Sequence, residues 1–327
     1  MNLDKFREKR ILVIGDVMLD EYIFGDVTRL SPEAPIPIIN YQKSHFTFGG
    51  AANVANNLAS LKGQVYLCGI IGNDKEAETF YNLIKQNGIH NSTIQDKERP
   101  TTVKQRVLAR YPGHPYQQIV RIDKEYTKTI SRFLEIQTVE NIKSIVDEVD
   151  CIILSEYDKG FLTKYLVDTV KELANGKTII ANAKPSKIDL YKNLDWVIFN
   201  TSETEATTDM KYLQDDEDLT RNIGKAFIRK YNPEYFLMTA GADGMFLYHK
   251  DDYNYITTTA REVADVSGAG DTVAAALALA IASGLDPIES VKIANCAAGI
   301  VVEKTGTATV SLEELTAALE INGISKP

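Results

Sequence analysis

The stretch Asp265-Val-Ser-Gly-Ala-Gly-Asp-Thr-Val-Ala-Ala-Ala-Leu277 joins a glycine-rich turn to a run of small apolar residues that predicts a helix. The backbone amides of Gly268, Ala269 and Gly270 can point at one spot, where the helix dipole adds roughly half a positive charge. Such a spot would hold a developing phosphate charge, and Asp271 could accept the proton of an attacking hydroxyl. Alternatively, Asp271 merely caps the helix and the glycines merely turn the chain.

Length and composition narrow the class of protein. With 327 residues, the chain has room for one large α/β domain with a small appendage, or for two medium domains. A net charge of −9 argues against nucleic acid and anionic membranes as partners. The three cysteines, an odd number without close pairs, indicate reduced thiols. The longest apolar run, 273–282, is too short to cross a bilayer, so we expect a cytoplasmic protein without a membrane segment.

Apolar, β-branched runs alternate with amphipathic stretches of helical length along most of the chain. The predicted strands are 11–14, 65–71, 151–154, 178–181, 196–199 and 235–238. The predicted helices are 51–61, 76–86, 138–146, 162–174, 217–230, 271–282, 287–303 and 312–319. This alternation predicts an α/β fold of three layers, with a mostly parallel central sheet covered on both faces.

Two segments, 16–41 and 101–123, interrupt this alternation with turn residues and no long helical stripe. Each predicts antiparallel strands, and the simplest arrangement is a small β-sheet lid projecting from one edge of a single domain, 1–327. Because the exposed edges of a small sheet invite pairing with a second copy, we expect a homodimer that forms through the lid.

The second lid segment also breaks the acidic trend, since five cations and no Asp or Glu lie between Arg99 and Ile122. If 102–110 is a strand, its period of two places Lys104, Arg106 and Arg110 on one face. A local cationic strand in an acidic protein suggests a small anionic ligand. A solvated face, or protection of a sheet edge by charge, would produce the same pattern.

Polar residues also follow the predicted strand 196–199, at the carboxyl edge of the sheet, where ligands of open α/β folds collect. Asn200 and Glu203 lie there, and Glu203 could orient water around a Mg²⁺ ion bound to a triphosphate. The structural alternative is a helix start with Thr201 or Ser202 as its cap.

Three further turns are candidates for ligand contact. Asp16, directly after the first strand, offers a carboxylate to two neighbouring hydroxyls, or is a turn or hinge residue. Gly49 and Gly50 precede a predicted helix whose first turn carries Asn53, which could bind a sugar hydroxyl. The turn 239–244 lets the backbone approach a ribose or phosphate closely, although an ordinary hairpin needs the same glycines.

In order and separation, these four motifs resemble those of the ribokinase-like (PfkB-type) carbohydrate kinases over essentially the whole chain: Gly49-Gly50 with Asn53, Asn200 with Glu203, 239–244 and 268–271. The resemblance implies that the γ-phosphoryl group of ATP passes to a sugar. It implies Asp271 as the base, Gly268, Ala269 and Gly270 as the anion hole, and Asp16, Gly49, Gly50 and Asn53 as the residues that hold the sugar.

The resemblance also implies a nucleotide site and a magnesium site. Lys184, Asn200, Glu203, Thr239, Gly241 and Gly244 would contact the phosphates, Mg²⁺ or ribose, while Asn295 and the loop 305–307 would border the adenine. In some members a monovalent cation such as K⁺ lies behind the anion hole, and here Asp265 and Ser311 would hold it.

A narrower resemblance, in 15–20, 29–37, 104–110 and 155–160, is to the heptose 7-phosphate kinases of ADP-heptose synthesis. These kinases phosphorylate D-glycero-β-D-manno-heptose 7-phosphate at O1 to give the 1,7-bisphosphate. The resemblance implies that Lys104 and Arg106, with Arg110 as a third candidate, meet the phosphate already on the substrate.

The chain departs from that pattern in places. Asn182-Ala-Lys-Pro185 stands where Asp-Pro-Lys-Gly is usual, and Glu156 stands where Asp is usual. No cytidylyltransferase-like domain follows the kinase motifs, so we expect a separate nucleotidyltransferase. Two alternatives stay open: a kinase of the same fold for fructose, a phosphofructose or a ribonucleoside, and a non-catalytic sugar-phosphate sensor.

Overall fold

The computed structural model describes residues 3–260 and 263–324. Its strands are β1 Arg10–Gly15, β2 Val17–Leu30, β3 Pro37–Gly50, β4 Gln64–Cys68, β5 Ile70–Ile71, β6 His90–Asn91, β7 Ile94–Gln95, β8 Val103–Arg110, β9 Gln117–Lys124, β10 Cys151–Ser155, β11 Thr178–Asn182, β12 Trp196–Asn200, β13 Tyr235–Thr239, β14 Met245–His249 and β15 Asp252–Ile256. Its α-helices are α1 Ala51–Ser60, α2 Lys75–Gln86, α3 Arg132–Lys143, α4 Lys164–Leu173, α5 Thr201–Thr208, α6 Glu217–Tyr231, α7 Ala269–Ala282, α8 Pro287–Val302 and α9 Leu312–Ile321. Short 3-10 turns lie at Leu3–Glu8, Val146–Glu148, Pro185–Tyr191 and Gly241–Asp243.

A nine-stranded sheet forms the central layer, in the order β15-β14-β13-β12-β11-β10-β1-β4-β6. The strands from β13 to β6 in this order are parallel, and β14 and β15 are antiparallel. Successive residues of β1 enter different cores: Ile11 and Val13 pack with α1, α7 and α8, whereas Leu12 and Ile14 pack with α3 and α4. The predicted α/β fold, with a mostly parallel sheet covered on both faces, is confirmed.

The lid is a separate four-stranded sheet in the order β3-β2-β8-β9. Its outer pairs are antiparallel, and β2 and β8 pair in parallel at its centre. The lid strands run beyond the predicted segments, to Gly50 and Lys124. The edge strand β9 is exposed along its whole length.

Local signals explain where the helices and strands differ from expectation. The predicted helix 138–146 is the helix Arg132–Lys143, which starts earlier because the Ser131 side chain accepts a hydrogen bond from the Leu134 amide (3.4 Å). The predicted strand 65–71 is divided into β4 and β5, and β5 pairs with β7 in a small sheet of its own.

Gly50 connects the lid to the large sheet. It has a φ of 56°, and a Cβ atom there would lie 2.5 Å from the carbonyl oxygen of Asp16. The Ala51 amide donates to that same carbonyl oxygen (3.0 Å) and starts α1. This close approach places Asn53 in the first turn of α1, facing the start of α7.

In the part of the chain that the structure describes, every helix is too short or too polar to cross a membrane.

Candidate active site

A charged cleft lies where the lid meets the carboxyl ends of β11, β12 and β13. It is lined by Met18, Asp20, Gly49, Gly50, Lys104, Arg106, Tyr157, Asn182, Lys184, Ile198, Phe199, Asn200, Glu203, Thr239, Ser267, Gly268, Gly270, Asp271 and Thr307. Most of the residues predicted to hold a sugar, a phosphate or a metal therefore share one cleft, although they come from distant parts of the chain.

Asp271 lies at the floor of this cleft, almost completely buried in the first turn of α7. Oδ2 accepts a hydrogen bond from Asn53 Nδ2 (2.8 Å), and Oδ1 accepts one from the Tyr157 hydroxyl. Asn182 Nδ2 lies 3.5 Å from Oδ1. Burial raises the pKa of Asp271 to about 6, although the hydrogen bonds from Tyr157 and Asn53 oppose the rise. The carboxylate is thus largely ionised at neutral pH, as a general base must be.

The start of α7 is built around Gly268. Its φ is 83°, and a Cβ atom there would lie 2.8 Å from Asn53 Nδ2, so a side chain would displace the amide that holds Asp271. Asn53 is fixed in turn by Asn57, whose Nδ2 donates to the Asn53 carbonyl oxygen (2.9 Å) and whose Oδ1 accepts from the Thr272 hydroxyl (2.9 Å).

The predicted anion hole is smaller than expected. Gly268 and Gly270 line the charged cleft, but the Ala269 amide donates to the Val266 carbonyl (3.3 Å). The turn that starts the helix uses this amide internally, so the expectation that all three amides point at one spot is wrong for Ala269.

Lys184, Asn200 and Glu203 form one connected group on the opposite wall. Lys184 Nζ lies 2.5 Å from Glu203 Oε1. Glu203 Oε2 accepts from the Asn200 amide (3.0 Å), and Asn200 Oδ1 accepts from the Glu203 amide (2.8 Å). This capping box starts α5, so the cap is Asn200 and not Thr201 or Ser202. The same two residues cap a helix and line the cleft.

A Mg²⁺ ion fits this group only together with a nucleotide. Within 3–260 and 263–324, no three His, Cys, Asp or Glu side chains converge as metal ligands. Mg²⁺ commonly binds through one or two carboxylates, waters and substrate phosphates, and does not need a cage of protein ligands. Glu203 supplies a carboxylate of that kind at the edge of the cleft.

The lid contributes the cations of the cleft. Arg106 forms an ion pair with Asp20, with 2.6 Å between Nη1 and Oδ1, and both side chains are largely buried. Burial raises the pKa of Asp20, against the effect of Arg106. Burial lowers the pKa of Lys104, and no carboxylate of the described residues lies within 4.0 Å of its ammonium group. Arg110 lies outside the cleft and pairs with Asp26 (2.9 Å).

Asp20, and not Asp16, is the aspartate near the first lid strand that faces the charged cleft. Asp16 does not line the charged cleft; its carboxylate accepts hydrogen bonds from the amides of Tyr157 (2.8 Å), Lys159 (3.1 Å) and Phe161 (3.2 Å). Its carboxylate is occupied by backbone, so the expectation that it holds a sugar is corrected. Asp20, which sequence reasoning missed, faces the cleft instead. The alternation of Met18 and Asp20 on one face of β2 was the available signal.

Beside the charged cleft lies an apolar pocket. It is lined by Thr239, Gly241, Ala242, Gly244, Met245, Thr258, Ala260, Val263, Val266, Ala269, Gly270, Val273, Asn295, Ala298, Gly299 and Val302. The predicted nucleotide residues Thr239, Gly241, Gly244 and Asn295 are therefore together. Asn295 Nδ2 donates to the Thr257 carbonyl (2.7 Å) and so holds the chain that forms one wall.

The loop 305–307 lies elsewhere than predicted. Thr307 lines the charged cleft, its hydroxyl is 2.9 Å from the Tyr22 hydroxyl and 3.2 Å from that of Thr47, and it is absent from the lining of the apolar pocket. It contacts the lid and does not border the proposed adenine site, because β2 and β3 pass directly over it.

The two residues predicted to hold a monovalent cation have other partners. Asp265 accepts hydrogen bonds from the amides of Ser267 (2.9 Å) and Gly306 (3.1 Å). Burial alone would raise the pKa of Asp265, but these hydrogen bonds outweigh it and hold the pKa below its usual range. Ser311 caps α9 in a capping box with Glu314. A cation held by Asp265 and Ser311 stays a prediction.

Solved structures with this architecture include sugar kinases. Phosphofructokinase-2 from Escherichia coli in complex with fructose-6-phosphate superposes with a TM-score of 0.77 and 16% identity, over 96% of this chain and 98% of that one. For ribokinase from Arabidopsis thaliana complexed with ribose and ATP, the TM-score is 0.72 and the identity 19%, over 95% and 99% of the two chains. The fold is therefore ribokinase-like.

Sequence comparison then identifies the family. The family described as pfkB family carbohydrate kinase matches residues 8–315, and the chain belongs to it. Similar curated proteins are the bifunctional protein HldE of Helicobacter pylori (strain J99), 39% identical over 317 residues, and that of Helicobacter hepaticus, 34% identical over 310 residues. The matches cover 95% and 94% of this chain and 66% and 63% of those proteins, so the chain spans about two thirds of their length. This protein is a carbohydrate kinase.

Proposed function

We propose that this kinase transfers the γ-phosphoryl group of ATP to O1 of D-glycero-β-D-manno-heptose 7-phosphate and so forms the 1,7-bisphosphate. The observation that carries the proposal is Lys104, a partly buried cation in the charged cleft that attracts Asp20 but has no carboxylate of the described residues within 4.0 Å. A buried ammonium group is costly unless an anion meets it, and a phosphate on the sugar would supply that anion. The similarity to HldE supports the heptose.

Arg106 and Asp20 share the acceptor site with Lys104. Because Arg106 is already paired with Asp20, the pair is close to neutral and leaves Lys104 as the main charge for the acceptor phosphate. Asp20 retains free lone pairs that can accept hydrogen bonds from sugar hydroxyls. The lid thus offers one group for the phosphate and one for the sugar ring.

The reaction needs one proton acceptor. In the proposed step, Asp271 takes the proton from the O1 hydroxyl while O1 attacks the γ-phosphorus, and the bond from that phosphorus to the bridging oxygen of ADP breaks. The Asn53 amide holds Oδ2 of the base. The amino end of α7, with Gly268 and Gly270, lies where charge on the transferred group can be stabilised.

The nucleotide would bind across both sites, with its base in the apolar pocket and its phosphates towards Lys184 and Glu203. Bound to the triphosphate, Mg²⁺ would neutralise charge on the β- and γ-phosphate oxygens. Closure of the lid over the charged cleft would exclude water and suppress hydrolysis of ATP. A monovalent cation such as K⁺, held by Asp265 and Ser311, stays part of the proposal, although both side chains also bond to the protein itself.

The test is ATP consumption coupled to product mass, with Mg²⁺, across heptose 7-phosphate, fructose phosphates, fructose, ribose and adenosine. Selective formation of a bisphosphate from the heptose is the expected result. Turnover only on a neutral sugar would overturn the argument from Lys104. Turnover only on a fructose phosphate would keep that argument and replace the sugar.

The proposal includes two statements about partners. The edge strand β9 is exposed, and its Ile119 and Ile122 side chains are about half exposed, which supports a homodimer that forms through the lid. Light scattering that shows a monomer at micromolar concentration would contradict the homodimer. The similar proteins are named bifunctional and extend beyond the matched region. This makes the expected separate nucleotidyltransferase uncertain, and that expectation is untested. The cytoplasm stays the expected location.

A further inference from the structure

We propose that Tyr157 is a positioning residue for Asp271, and that Asp16 fixes the loop that carries it. The phenol holds the base carboxylate in its ionised form and in its orientation. The proposal rests on the proposed role of Asp271 as the base.

Tyr157 lies in the loop after β10 and lines the charged cleft. Its hydroxyl donates to Asp271 Oδ1, and its ring centre lies 5.4 Å from Lys184 Nζ. The ring therefore spans the cleft between the proposed base and the lysine on the nucleotide side. No expectation from the sequence gave Tyr157 a role.

Two buried carboxylates fix this loop from behind. Asp16 accepts three amides of the loop, including that of Tyr157 itself (2.8 Å). Glu156 accepts the Asp158 amide (2.8 Å) and the Tyr191 hydroxyl (2.9 Å). The three amide bonds to the Asp16 carboxylate hold this loop, and with it the phenol, in one place. Burial and the nearby Asp16 raise the pKa of Glu156 to about 7, so Glu156 contributes less charge to the loop.

The phenol counteracts the cost of burying the base. Burial is the largest influence on Asp271 and raises its pKa to about 6; the Tyr157 hydrogen bond is the first of the influences that lower it. The other groups that face Asp271 are the neutral amides of Asn53 and Asn182, Lys184, which favours the charged form, and Asp20, which opposes it.

Tyr157 also keeps its proton under working conditions. Burial, together with the neighbouring Asp271 charge, raises the pKa of Tyr157 well above its ordinary value, so the phenol remains a donor across the pH range in which the base titrates. Because the Tyr157 phenol stays protonated while Asp271 titrates, its hydrogen bond favours the ionised carboxylate and lowers the pH at which Asp271 becomes protonated.

The experiment compares Tyr157→Phe with wild type in pH profiles of kcat/KM for the acceptor that the substrate panel identifies. Loss of the donor should move the acid limb upward by about one pH unit, since a hydrogen bond to a charged group contributes about that much. Activity should fall about fivefold at pH 6 and about tenfold well below it, and should recover towards wild type above pH 8. The substrate phosphates, which titrate near pH 6, are the same in every variant and cancel from the comparison.

Tyr248→Phe is the matched control, because Tyr248 is a buried tyrosine whose hydroxyl donates to the Thr220 carbonyl (2.9 Å), far from the charged cleft. Its profile should be that of wild type. A second variant, 3-fluorotyrosine at position 157, keeps the ring and makes the phenol a stronger donor, so the acid limb should move in the opposite direction. It preserves the test if Tyr157→Phe does not fold.

A loss in Tyr157→Phe that is equal at all pH values, or a limb that does not move in either variant, would overturn the proposal. The Asp271→Asn variant distinguishes a failure of the role of Tyr157 from a failure of the role of Asp271 as the base. If that variant is inactive at every pH and the Tyr157 profiles do not move, only the role of Tyr157 fails; if it remains active, the base assignment itself fails.

Discussion

The charged cleft and the apolar pocket lie side by side but are built in opposite ways. Ionisable side chains such as Asp20, Lys104 and Asp271 line the cleft, and lid strands and the first turn of α7 carry them. The apolar pocket is lined mostly by small and aliphatic residues, so the backbone defines its shape. Substitutions in the charged cleft should therefore change its charge and its chemistry, whereas substitutions in the apolar pocket should affect ligand binding through the volume of the pocket.

Asp271→Asn tests this contrast most strongly. The asparagine has nearly the same shape and keeps the fold, but it cannot take the proton, so kcat should fall by a factor of about 10² to 10⁴. Binding of ATP, measured by calorimetry, should change little, because the apolar pocket is untouched. Turnover near the wild-type value would contradict the assignment of Asp271 as the base.

Lys104→Met should act on the acceptor alone. Loss of one charged contact to the sugar phosphate should raise KM for that substrate about 10- to 100-fold and leave KM for ATP unchanged. Steady-state kinetics with each substrate varied in turn measures both constants.

Arg110→Met is the control for this exchange, because Arg110 pairs with Asp26 outside the charged cleft and should leave both constants at wild-type values. An equal effect of the two variants would mean that the lid acts through its overall charge. The selectivity attributed to Lys104 would then be lost.

The pH dependence of wild type is the third test. A base with a pKa of about 6 is charged above that value and active; as the pH falls below it, the carboxylate is protonated and activity is lost. The logarithm of kcat/KM for the acceptor, corrected for the titration of the substrate phosphates, should therefore drop with a slope of one, about tenfold per pH unit, below pH 6. An acid limb near the ordinary pKa of an aspartate would contradict the burial argument.

Part of this organisation could be predicted from the sequence. The strands of the central sheet are continuous apolar runs because both of their faces are buried, and such runs do not depend on distant partners. The place of Asp271 in the first turn of a helix could be predicted for a similar reason, since the glycine turn and the helix after it are neighbours in sequence.

Long-range contacts could not be predicted. Whether Asp16 or Asp20 faces the cleft depends on where the first strand ends and the lid strand begins. It also depends on the loop around residue 157, whose backbone amides donate hydrogen bonds to the Asp16 carboxylate. Thr307 meets Tyr22 across 285 positions of the chain, a contact that no local pattern encodes. Tyr157 acquires a role only because β10 and α7 bring it to Asp271.

Gly299→Ala is expected to have the smallest effect and tests the apolar pocket. A Cβ atom at this position would lie 2.6 Å from Thr259 Oγ1 and 3.1 Å from the Ala260 amide nitrogen, so the wall of the pocket must shift. Overpacking of about 1 kcal/mol corresponds to a rise of about fivefold in KM for ATP. Because no charge changes, KM for the acceptor should stay constant, the reverse of the pattern for Lys104→Met. If Gly299→Ala raised both constants equally, the two sites would not be separable, and volume would matter as much in the charged cleft as in the pocket.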